Sequence, residues 1–177
     1  MFTAVLSVVF SLYSPIGLGS LNAVQSMLIG ILFLAILPTA PVLYYVVRRK
    51  IDINVSAREK RTKFYLLASA SMLASVIIFW FSSAAIMFAY SLSVFIVTLI
   101  IAFINMKWKI SAHSSSVSSD ANALLYVYGT FLWPISIMIP IVSIVRYKAK
   151  AHSIAQLVAG IIVGITMTLI SYIVFYP

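Results

Sequence analysis

The chain contains only two histidines, His113 and His152, and both stand among cations. His113 ends the run Lys109-Ile110-Ser111-Ala112-His113, directly ahead of a helix expected to open Ser114-Ser115-Ser116. His152 follows Arg146 and opens the last expected helix. Neighbouring positive charge disfavours the imidazolium form, so each ring is expected to be neutral at pH 7. A neutral imidazole beside fixed cations can attack an anion, and once protonated it can donate to a leaving group. Phosphate is the natural anion, because arginine matches its oxygens bidentately and helix starts offer free N–H groups. Taken singly, each histidine reads as a loop residue at the lipid headgroups. Their company with Arg146, Lys109 and Ser111 favours phosphate chemistry.

The elements that must position these residues are membrane helices. Of 177 residues 63% are hydrophobic and 8% charged, with mean hydropathy +1.13. A soluble domain carries about 25% charged residues, so a water-facing globular surface is excluded, and disorder with it. Apolar runs cover about 2–18, 23–47, 64–81, 84–106, 114–131, 134–145 and 153–176. A span needs about 20 apolar residues. The first run is interrupted by Ser14-Pro15, Gly17 and Gly19, and the sixth is short and holds Pro140. The expectation is an all-α, polytopic integral membrane bundle of six or seven transmembrane segments. It forms a single domain over 1–177, in the cell membrane, with no cleaved signal peptide. With no cysteines, disulfides and thiol chemistry are excluded.

All 12 basic residues fall in three stretches: 48–63, Lys107 with Lys109, and Arg146 with Lys148 and Lys150. Two apolar segments separate each stretch from the next. An even number of crossings returns the chain to one side, so the three should meet on one membrane face. The positive-inside rule accounts for the sign of these loops but not for the histidines beside them.

The stretches Lys109-Ile110-Ser111-Ala112-His113 and Arg146-x5-His152-x3-Gln156 resemble the second and third signatures of the type-2 phosphatidic acid phosphatase superfamily. Those signatures read Pro-Ser-Gly-His and Ser-Arg-x5-His-x3-Asp. Here Ile110, Ala112, Val145 and Gln156 replace Pro, Gly, Ser and Asp. The His-x3-Gln form and the helix running on to Gly164 are similar to a compact prokaryotic branch. The first signature, Lys-x6-Arg-Pro, is absent, and Arg58-x2-Arg61 resembles the divergent form of that branch. The resemblance runs from about Lys50 to Gly164. It implies phosphoryl transfer to His152 and then to water, with His113 protonating the leaving alkoxide. It further implies that Arg146, Arg58, Arg61, Lys109 and Ser111 hold the phosphate. Gln156, where the family has Asp, would orient His152. The histidine route calls for no cofactor and no metal.

Other residues read more plainly. Asp120 is the one acid outside the first basic stretch and lies seven residues past His113. It is either functional, paired with a loop cation, or seated at the interface. Gly160 and Gly164 read as close helix packing. Trp80, Trp108, Trp133, Tyr44, Tyr45 and Tyr176 read as interface belts. Two histidines and three scattered acids do not make a usual zinc site. Nucleic acid is a poor partner for so buried a chain, despite pI 9.9. The function expected is hydrolysis of a lipid phosphate or diphosphate, isoprenoid or glycerophospholipid. The partners are that substrate and membrane lipids. A non-catalytic protein that binds or transports an anionic lipid is the rival reading.

Overall fold

The computed structural model describes residues 2–48 and 58–176, the side chains of 58–60 apart. Among the described residues every regular element is helical. We number them α1 Phe2–Leu12, α2 Ala23–Val47, α3 Arg58–Phe81, α4 Ala85–Asn105, α5 Ala112–Tyr128, α6 Thr130–Lys148 and α7 Ile154–Phe175. Five helices are long and apolar enough to cross a membrane: α2, α4, α6, α7 and the part of α3 from Arg61. That is fewer than the six or seven crossings expected, for two local reasons. The first apolar run stops being helical at Leu12, ahead of Ser14-Pro15, and leaves an 11-residue helix. α5 has 17 residues and five of them are serines, which lowers its hydropathy.

α5 is the polar element at the centre of the bundle. Its serines 114, 115, 118 and 119 are all buried, as is Asp120. In lipid the partners for such groups are their own helix, as where Ser118 donates to the Ser115 carbonyl at 3.1 Å, or other helices. Ser119 and Thr168 of α7 accordingly bond at 2.7 Å, and Asn122 donates to the Ile165 carbonyl at 3.3 Å. Gly160 and Gly164 let α7 come this close. A Cβ on Gly160 would sit 2.6 Å from the Ser111 carbonyl oxygen, and one on Gly164 would collide with Ser118 and the Ser115 carbonyl.

Opposite in character, α6 has none of its most apolar window buried. It opens as a 3₁₀ stretch over Thr130–Ile137 that contains Pro134, then continues as α-helix. The two runs expected at 114–131 and 134–145 therefore divide at Gly129, whose φ of 97° ends α5. α2 begins with a capping box between Asn22 and Gln25. It widens to a π-helix at Leu32–Ile36, just before Pro38 and Pro41. The Ser71 hydroxyl of α3 donates to the Phe33 carbonyl at 2.6 Å, and Thr39 to that of Ala35 at 2.7 Å.

The helix ends sort into two groups. At one end Ser20 N–H donates to the Ser82 carbonyl (2.9 Å) and the Tyr128 hydroxyl to the Tyr13 carbonyl (3.2 Å). At the other, Ser111 N–H donates to the Gln156 carbonyl (3.2 Å), joining the second basic stretch to the third.

Candidate active site at the basic end of the bundle

The start of α7 fixes His152. Ser153 is the N-cap, and its hydroxyl accepts from Gln156 N–H at 3.4 Å. Gln156 Oε1 accepts from Ser153 N–H at 3.1 Å, completing a capping box. That same oxygen lies 3.3 Å from His152 Nδ1. A carbonyl oxygen only accepts, so Nδ1 carries the proton and Nε2 keeps its lone pair. His152 itself is 6% exposed. The cap that starts the helix thus also orients the ring.

The start of α5 places His113 in its first turn, one residue inside the helix rather than ahead of it. Ser111, expected as a donor to phosphate, is fully buried and is the N-cap. It accepts from Ser114 N–H at 3.3 Å and donates to Ser114 Oγ at 3.1 Å. Ser114 Oγ in turn meets Ser143 Oγ of α6 at 3.3 Å, one turn before Arg146.

Arg61 and Arg146 act on both imidazoles. His152 is lowered to about 4, by burial first, then by the charges of Arg61 and Lys109, with Arg146 adding a smaller push. Its bond to Gln156 pulls the other way. His113, in the first turn of α5, stands near the same two guanidiniums. For His152 the sequence led us to expect cations as the cause, and burial is the larger one. The His152 ring is therefore neutral at pH 7. Arg61 is 6% exposed and bonds the Tyr65 hydroxyl, one turn along α3. A guanidinium this buried needs such partners.

His152, His113, Gln156, Arg146, Arg61 and Lys109 thus gather at one end of the bundle, with Ser111 in the wall behind them. The side chain of Arg58 lies outside the described residues, as do Lys50 and Asp52. Among the described residues no three histidine or acidic side chains form a metal-binding group. Asp120 is buried in the bundle, where one carboxylate oxygen accepts from the Tyr90 hydroxyl at 2.9 Å.

Two features escaped the sequence reading. One is Tyr65, whose spacing from Arg61 by four residues on a helix was a usable signal. The other is a cavity of about 570 Å³ that begins at His113 and runs between α1, α2, α3, α4 and α5. It is mostly apolar and includes Tyr65, Ala68, Val97 and Asp120 in its wall. No family model, curated protein or solved structure matches this chain.

Proposed function

We propose that this chain is a membrane-embedded phosphatase acting on a lipid phosphate or diphosphate through a phosphohistidine, in the manner of the type-2 phosphatidic acid phosphatases. The observation that carries the reading is the Ser111–Gln156 backbone bond, which joins the helix start that bears His113 to the one that bears His152, with Arg61 and Arg146 near both rings. With α5 added to the five long helices, two crossings separate each basic stretch from the next, and the three stretches share a face.

The chemistry runs in two displacements. His152 Nε2 attacks the terminal phosphorus in line, and the bond to the leaving alkoxide, or to the leaving lipid phosphate of a diphosphate, breaks. Charge on the equatorial oxygens is held by Arg146, Arg61 and Lys109, with Arg58 as a further clamp. His113 gives the alkoxide a proton. Beside two arginine charges a neutral imidazole is a poor acid when the site is empty, and a phosphate dianion that offsets those charges lets the ring hold a proton when substrate is bound. In the second displacement His113 takes a proton from water, the oxygen attacks phosphorus, and the N–P bond breaks to restore His152.

Phosphate release from a panel of lipid phosphates by the purified protein tests this. The expected result is turnover that His152→Ala abolishes while substrate binding survives. Hydrolysis by that variant near the wild-type rate would remove His152 from the role. No release from any lipid phosphate would leave anion-lipid binding or transport as the reading.

A further inference from the structure

We propose that the cavity under His113 holds one aliphatic chain of the ligand, and that single-chain lipid phosphates are preferred over two-chain ones. This deepens the phosphatase reading, since it takes the phosphate to sit at the basic end. The commitment to this occupant rests on three observations.

First, cavity and cations are continuous. His113 belongs both to the cavity wall and to the group governed by Arg61 and Arg146. Tyr65 likewise lines the cavity and bonds Arg61. An anionic head held by the arginines therefore has an apolar space directly beneath it, which matches a phosphate that carries a hydrocarbon tail.

Second, the wall suits hydrocarbon. Ala35, Ala68, Val94, Val97 and Ile101 line it from three different helices. The π-helical stretch of α2 forms one side, with Leu34, Ala35 and Ile36 in the lining. Such π-bulges concentrate at functional sites. Here the bulge lets α2 follow the cavity while Ser71 satisfies a carbonyl of the widened turn.

Third, the volume holds one chain. At roughly 30 Å³ for each water-sized group, about 570 Å³ seats on the order of 19 carbons. One chain of about 15–20 carbons fits, and two do not. A two-chain lipid must leave its second chain outside, with its glycerol across the mouth.

The test reads binding rather than turnover. The probe is a C16 alkyl phosphate with a photoreactive diazirine at mid-chain, irradiated with the full-length protein in lipid nanodiscs. Adducts are expected on the lining residues of α2, α3 and α4. Hexadecyl phosphate should compete about tenfold better than a dihexadecyl glycerol phosphate, a difference of roughly 1.4 kcal/mol. Ala35→Phe and Thr98→Phe fill the cavity from separate helices, and each should cut internal labelling at least tenfold. Leu32→Phe, on α2 but outside the lining, should leave it unchanged. A filling variant is scored only if it keeps the wild-type melting temperature, and having two on different helices guards against loss of either. Adducts confined to outward residues such as Leu28 and Leu66, equal competition by the two lipids, or labelling indifferent to both fillings would overturn the proposal. Internal adducts without any phosphate release would end the phosphatase reading and leave the chain site standing. Release accompanied by outward adducts would do the reverse.

Discussion

Gln156 does three things at once. Its side-chain oxygen meets His152 Nδ1 and the Ser153 N–H, and its backbone carbonyl accepts from Ser111. Only the first bears on the ring. Since that bond raises the pKa of His152, Gln156→Ala should lower it further. The ring must be neutral to attack, so kcat/KM rises with pH through this pKa. The acid limb should then move to lower pH in Gln156→Ala, and the rate should fall about tenfold by analogy with other histidine-orienting partners. Gln156→Glu keeps the capping box but supplies a charge that stabilises the imidazolium. It should move the limb to higher pH. Profiles that superimpose on wild type for both variants would leave Gln156 as a helix cap alone. At this scale the sequence was informative. The spacing Arg146-x5-His152-x3-Gln156 is set within one chain segment, so reach along a helix could be read directly. It could not reveal that Ser111 is a buried cap, because a serine ahead of a helix is equally suited to either task.

Between elements, the close approach of α5 and α7 sets the distance between the two histidine-bearing turns. A Gly160 Cβ would stand 2.6 Å from the Ser111 backbone oxygen, a contact no rotamer change relieves. Gly160→Ala should therefore push the helices apart and stretch the Ser111–Gln156 backbone bond. Overpacking of this kind costs about 1–3 kcal/mol. A lowered melting temperature is expected, together with a loss of turnover larger than Gly164→Ala produces. Gly164 lies a further turn from the site, beside Ser118 and Ser115. Equal losses from the two variants would show general loosening rather than a spacing effect. The Gly-x3-Gly pattern announced this packing from sequence, but its partner helix did not announce itself. α5 is Ser-rich and poorly hydrophobic, and its polarity is turned inward. Hydropathy reads such a helix as weak, although it is the best-buried surface near the site. The cavity was equally hidden, since its lining comes from five helices and leaves no periodic mark on any one of them.

For the whole molecule, the simplest expectation concerns metals. Acids are scarce, and one oxygen of the buried Asp120 is taken by Tyr90. If phosphate charge is met by Arg61, Arg146 and Lys109, activity should persist in EDTA. Complete loss restored by magnesium would show that the acids near Arg58 take part.

The arrangement of charge makes a topological demand as well. Arg61, Lys109 and Arg146 come from three separate stretches, and they act together on His152. They can do so only if an even number of crossings separates each stretch from the next. The helix ends agree, since Ser20 pairs with Ser82 and Tyr128 with Tyr13 at the far end. The chain has no cysteine, so single cysteines report position without a background. Lys107 and Lys150 are exposed and belong to the basic end, while Tyr13 (69% exposed) and Phe81 (81% exposed) belong to the other. Lys107→Cys and Lys150→Cys should react with a membrane-impermeant maleimide from one side of a sealed vesicle. Tyr13→Cys and Phe81→Cys should react only from the opposite side. Labelling of Lys107→Cys and Lys150→Cys from opposite sides would separate Lys109 from Arg146 by the thickness of the bilayer. No phosphate could then touch both, and the shared site would be lost whatever the histidines do. The same experiment assigns the basic face to cytoplasm or exterior once the vesicle orientation is set, which the charge count alone cannot do. The cations proposed to hold the phosphate are the same ones that the positive-inside rule counts.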